Sequence, residues 1–158
     1  MRKLLGGLSI VTLMLTALGA RPSVALAGSP WPEECLEGAL PSGDPRYPDD
    51  QLILTCLPRL WNGQLVLYAH GYVQPQEELA LPIDELTLPD GRTVPEVLLP
   101  LGFGFATTSY HKTGFALEQA EADLSALLEY FEDEVTPNRP IQTVLLTGAS
   151  APTTRCGS

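Results

Sequence analysis

Basic residues are scarce in this sequence, which has nine lysines and arginines against 19 aspartates and glutamates. The net charge is −10 over 158 residues. Such an acidic surface repels the phosphates of nucleic acids and anionic lipid headgroups, so neither is expected as a partner. The imbalance leaves the fold open, because net charge acts on solubility and association rather than on topology.

Cysteine and histidine are also few, with three and two residues. The sequence has no Cys-x-x-Cys motif and no cysteine–histidine spacing typical of a metal site, so we expect neither a metal nor a cofactor. Cys35 and Cys56 form a disulfide if the chain folds in an oxidising compartment, or else remain buried free thiols. With that disulfide formed, Cys156 is the unpaired cysteine.

The one long apolar run lies at the N-terminus, over residues 4–20, behind the positive start Met1-Arg2-Lys3. Ala25-Leu26-Ala27 then has the small-x-small pattern of a signal peptidase site. Residues 1–27 are therefore predicted to be a signal peptide, and the protein to be secreted or periplasmic, without membrane attachment after cleavage. The alternative is an uncleaved membrane anchor, for which the run is slightly short. Cleavage removes three basic residues and lowers the net charge to −13.

The remaining chain divides into two parts. Residues 28–50 contain five prolines and are predicted to be an irregular leader, followed by a domain over residues 51–158. Apolar runs predict strands over 51–57, 64–69, 102–109 and 141–147. Residues 115–135 predict a helix with an apolar stripe on one side and acidic residues, Asp123 among them, on the other.

The alternation of strands and helices predicts an α/β fold, with a mostly parallel sheet and flanking helices. Reactive groups in such sheets gather at the carboxyl ends of the strands. Two predicted strands run into His70-Gly71-Tyr72 and Gly148-Ala149-Ser150, so these two turns are expected at one edge of the sheet.

Ser150 follows its strand directly, with small residues before it. A serine on a sharp strand-to-helix turn exposes its hydroxyl, and the next backbone N–H, that of Ala151, can face a forming oxyanion. The His70-Gly71 pair lets the chain turn and presents a second backbone N–H. The alternatives are an ordinary Gly-x-Ser turn and a structural histidine at a strand end. The two signals together favour a hydrolase.

Three segments, Leu65–Tyr72, Gly102–Tyr110 and Val144–Ser150, resemble the α/β-hydrolase superfamily, in particular secreted bacterial esterase- or peptidase-like members. The resemblance implies that Ser150 is the nucleophile and that the backbone N–H groups of Tyr72 and Ala151 form the oxyanion hole. It also implies ester or amide hydrolysis through an acyl-enzyme, on a small-molecule or peptide substrate.

The sequence departs from that family at two points. Pro152 stands where the family has glycine, and only eight residues follow Ser150, whereas the family places its acid and its histidine after the nucleophile. We therefore expect the N-terminal half of such a domain, as a truncated and inactive or very weak hydrolase. A frame change after Ser150 accounts for this, and it leaves residues 141–147 as an exposed, aggregation-prone sheet edge.

Two further side chains were considered as chemical groups. His111 follows a predicted strand and is expected to face substrate or solvent rather than to act as the base. Glu85, in an acidic loop, is expected to be solvated. The alternatives to an enzyme are a secreted non-catalytic binding domain on the same scaffold and a small exported disulfide protein.

Overall fold

The computed structural model describes residues 29–41, 50–114 and 117–149, so the predicted signal peptide lies outside the described residues. These residues form one five-stranded sheet with short and long helices packed on its faces. The strands are β1 (Cys35–Leu40), β2 (Gln51–Cys56), β3 (Gln64–Ala69), β4 (Gly104–Thr108) and β5 (Thr143–Gly148). The helices are α1 (Ile83–Leu86), α2 (Val94–Leu98) and α3 (Leu117–Tyr130), with a 3-10 turn over Leu99–Leu101 and a π-helical turn over Phe131–Val135.

The sheet is mixed, so the prediction of a mostly parallel α/β-hydrolase sheet is wrong. The strand order is β1-β2-β4-β3-β5, in which β2 is antiparallel to both of its neighbours while β3 is parallel to β4 and β5. The physical reason is the length of the link over residues 57–63. A return to the start of a parallel strand takes a dozen or more residues, and this link is too short for that.

The N-terminal leader also differs from its prediction. Residues 35–40 are not irregular but form the edge strand β1, which pairs with β2 along its whole length. Cys35 lies directly opposite Cys56 in that pairing, and a disulfide joins them. Trp31 is buried next to β1 and donates its indole N–H to Glu37 at 2.6 Å. The disulfide and the tryptophan together fasten the leader to the sheet.

Alternating side chains of the central strands build a hydrophobic core on each face of the sheet. One core places Trp31, Val66 and Phe105 against Leu86 of α1 and Leu99. The other places Ile53, Leu65, Leu67 and Ala106 against Leu127 of α3 and against Phe131. Within the described ranges, none of the helices has the length and apolar character needed to cross a bilayer.

The far edge of the sheet is formed by β5, which carries no charged residue and is exposed along its length. Leu146 is 65% exposed, and Val144 and Leu145 are also open to solvent. This strand pairs with β3 over six residues in parallel register, from Gln64 opposite Thr143 to Ala69 opposite Gly148. The pairing fixes where the two strands end, and the candidate site lies at those ends.

Candidate functional site

The two turns expected at one edge of the sheet do lie side by side. Ala69, the last residue of β3, is in register with Gly148, the last residue of β5, and Ala149 donates its N–H to the Ala69 carbonyl at 3.2 Å. Gly148 permits this approach, because a Cβ at that position would lie 2.3 Å from the Ala69 oxygen. His70-Gly71-Tyr72 and Ala149 therefore leave the sheet as neighbours.

His70 is held firmly at this edge. Its side chain is buried, with 8% exposure, and Nδ1 lies 2.8 Å from the carbonyl oxygen of Gly71. Its ring lies against that of Tyr110, with 4.1 Å between the centroids, and the Tyr110 hydroxyl donates to the His70 carbonyl. The other ring nitrogen, Nε2, is enclosed and has no hydrogen-bond partner within the described part of the chain.

Tyr110 gives the site its opposite wall. It follows β4 with a left-handed backbone, at a φ of 58°, which is an uncommon conformation for a bulky side chain. That conformation accompanies the stacking of its ring on His70. Burial raises the pKa of Tyr110 to about 12, so the phenol keeps its proton at physiological pH.

A cleft of about 250 Å³ opens between these turns, and we call it the cleft below. Its walls include His70, Tyr72, Val73, Tyr110, Leu117 and Ala149. The volume is slightly below the usual range for drug-sized ligands, so the cleft suits a small apolar group. A wider, mostly apolar groove continues from it between α3 and β5, lined by Leu124, Leu128 and Leu146 among others.

Glu85 reaches this turn from α1, although the sequence predicted a solvated side chain. Its carboxylate accepts the Tyr68 hydroxyl at 2.9 Å and lies 3.2 and 3.3 Å from the backbone nitrogen of Gly71, which donates to it. Burial, followed by the hydrogen bond to Glu85, raises the pKa of Tyr68 to about 12. A single carboxylate thus joins β3 to the turn that follows it.

His111 is buried, with 6% exposure, and does not face substrate or solvent as predicted. Its Nδ1 lies 2.6 Å from Oδ1 of Asp123, and its backbone N–H donates to Oδ2 at 2.8 Å. Gln119 donates a further hydrogen bond to the same carboxylate. The pair fastens the turn after β4 to α3, and His111 Nε2 is enclosed without a partner in the described residues.

Asp123 was assigned to the solvent side of its helix, and that prediction is wrong, since only 2% of the residue is exposed. The helical period carried a signal that could have placed it. Asp123 lies three residues after Ala120 and four before the buried Leu127, which is the spacing of one helix face. An acidic residue on the apolar stripe indicates a buried partner, here His111.

The predicted oxyanion residue Tyr72 lies at the mouth of the cleft with 45% of its surface exposed. Ser150 and Ala151 lie outside the described residues, and the chain is described up to Ala149, one residue before the predicted nucleophile. Among the described residues there is no group of three or more histidine, cysteine, aspartate or glutamate side chains placed to hold a metal ion.

No protein-family model, curated protein or solved structure matches this chain. The candidate site therefore stands on its own geometry: two neighbouring strand ends, a turn rich in backbone N–H groups and a small apolar cleft.

Proposed function

We propose that this protein is a serine hydrolase, which cleaves esters or amides through an acyl-enzyme on Ser150. The observation that carries the proposal is the parallel pairing of β3 with β5, which ends at Ala69 and Gly148. That pairing sets the His70-Gly71-Tyr72 turn beside the residue that precedes Ser150. The likeness of these segments to secreted α/β-hydrolases supports the same chemistry, and residues 1–27 support export as a signal peptide.

The proposed reaction begins when the Ser150 hydroxyl oxygen attacks the substrate carbonyl carbon. The carbonyl π electrons move to its oxygen, and the backbone N–H groups of Tyr72 and Ala151 hold the resulting negative charge. Collapse of this intermediate breaks the bond to the alcohol or amine, which leaves with the proton taken from the serine. Attack by water on the acyl-serine then releases the acid and restores the hydroxyl.

The two histidines of the chain explain why turnover is expected to be slow. Each has one ring nitrogen engaged by an oxygen and the other enclosed, so neither presents a free imidazole nitrogen at the surface of the cleft. A serine without a neighbouring general base is a weak nucleophile at neutral pH. We therefore expect reaction with activated esters and phosphonates, and little hydrolysis of ordinary amides.

A fluorophosphonate probe tests the proposal, because it phosphonylates an activated serine hydroxyl with loss of fluoride. The folded protein should gain one adduct by mass spectrometry, and Ser150→Ala should abolish it. Ser125→Ala is the matched control, since Ser125 is an exposed serine on α3 that lines the neighbouring groove. Adduct formation that survives Ser150→Ala would contradict the assignment of the nucleophile.

A second candidate is a secreted binding domain, and the engaged histidines favour it. In that case the cleft takes up a small apolar ligand without chemistry. Folded protein that refuses the probe, yet shows shifted NMR signals of His70 and Tyr110 on titration with a short-chain ester, would support binding over catalysis.

A further inference from the structure

Glu85 stands apart from the other acidic residues of its segment because its carboxylate has two specific partners. The Tyr68 hydroxyl donates to Oε2 at 2.9 Å, and the Gly71 backbone N–H lies within 3.3 Å of both carboxylate oxygens. Tyr68 belongs to β3, and Gly71 follows that strand by two residues. The carboxylate therefore spans the point where the rigid strand gives way to the turn.

This contact decides which backbone amide is left for the substrate. The Gly71 N–H is directed at Glu85, so it is not available to a substrate oxyanion. The next amide along the chain belongs to Tyr72, whose residue lines the cleft. With Gly71 held from one side and the His70 ring held by Tyr110 from the other, the peptide between Gly71 and Tyr72 has little freedom to rotate.

We propose that Glu85 is a positioning residue, which anchors the Gly71 N–H and thereby orients the Tyr72 N–H toward the oxyanion. This inference rests on the proposed function. A misplacement of about 1 Å in a catalytic group costs on the order of 100-fold in rate, so an anchor at this position has a measurable effect. Tyr68 assists as a donor, and with its pKa raised to about 12 its phenol stays protonated throughout the physiological range.

The test compares rates of fluorophosphonate labelling at Ser150 in the full chain. Glu85→Ala removes the anchor, and labelling should slow by about 10-fold or more. Glu85→Gln keeps an oxygen acceptor of the same reach, so its rate should lie between those of Glu85→Ala and the wild type. Asp84→Asn is the matched control, because it removes one carboxylate from the same short helix; its rate should stay within about twofold of the wild type, since it leaves the anchor intact.

Hydrogen exchange of the Gly71 amide provides a readout that does not depend on reactivity. Glu85→Ala should speed this exchange, whereas Asp84→Asn should not, and spectrophotometric titration should show a lowered Tyr68 pKa in Glu85→Gln. If Glu85→Ala fails to fold, the Glu85→Gln rate and titration decide. Equal labelling and equal exchange in the Glu85 variants and in Asp84→Asn would overturn the inference. A wild type that takes no label overturns the proposed function instead, while the exchange of Gly71 still reports whether Glu85 fixes the turn.

Discussion

The turns that follow β3 and β4 each begin near a buried histidine, and the two histidines have different surroundings. His70 bonds to a carbonyl of its own turn and lines the cleft, whereas His111 bonds to a carboxylate delivered by α3. Both keep Nε2 enclosed. A histidine after a strand is therefore one sequence signal with two outcomes, and the outcome depends on whether a distant helix supplies an acidic partner.

The largest effect is expected when the β4 turn loses its partner. His111→Ala leaves the buried Asp123 carboxylate without its closest donor, and removing one member of a buried pair costs about 3–5 kcal/mol of unfolding free energy. His70→Ala loses an aromatic contact beside an open cleft, worth about 1 kcal/mol. Urea unfolding of both variants measures the difference. Equal losses, or a larger loss for His70→Ala, would break the comparison.

A second destabilisation, remote from both turns, sharpens the comparison by separating stability from reactivity. Replacing Cys35 and Cys56 together by serine opens a cross-link between residues 21 apart, which should lower the unfolding free energy by about 3 kcal/mol. The pair joins β1 to β2, whereas β5 forms the opposite edge of the sheet.

Probe labelling of the folded fraction should therefore stay unchanged in the double variant, with Cys156→Ser as the control that keeps the cross-link. Unfolding curves with and without reductant measure the first effect, and labelling rates the second. An unchanged midpoint in the double variant would contradict the role given to the cross-link.

Strand positions were predictable because buried strands are continuous apolar runs, and the strands at 51–56 and 64–69 begin where the sequence placed them. Strand direction was not, because an apolar run reads the same in both directions. The length of the link over residues 57–63 carried the missing information. The leader was predicted to be irregular because of its prolines, but all five of them lie outside β1.

The candidate site was predictable in its backbone and not in its side-chain partners. Glycine beside an apolar strand end marked the Gly71 and Gly148 turns, and both lie at one edge of the sheet. Glu85 reaches the first turn from a helix 14 residues further along the chain, and Asp123 reaches His111 across 12 residues. Such contacts depend on how elements pack, which the spacing of residues does not reveal.

The central claim is that the turn after β3 supplies a backbone donor to a reaction at Ser150, and one pair of variants tests it most directly. Tyr72→Pro removes the backbone N–H, whereas Tyr72→Ala removes the side chain and keeps that N–H. Losing one oxyanion donor costs about 100-fold or more in rate, so fluorophosphonate labelling should fall by that factor in Tyr72→Pro and change little in Tyr72→Ala. Equal labelling of two folded variants, or a wild type that takes no label, would contradict the account.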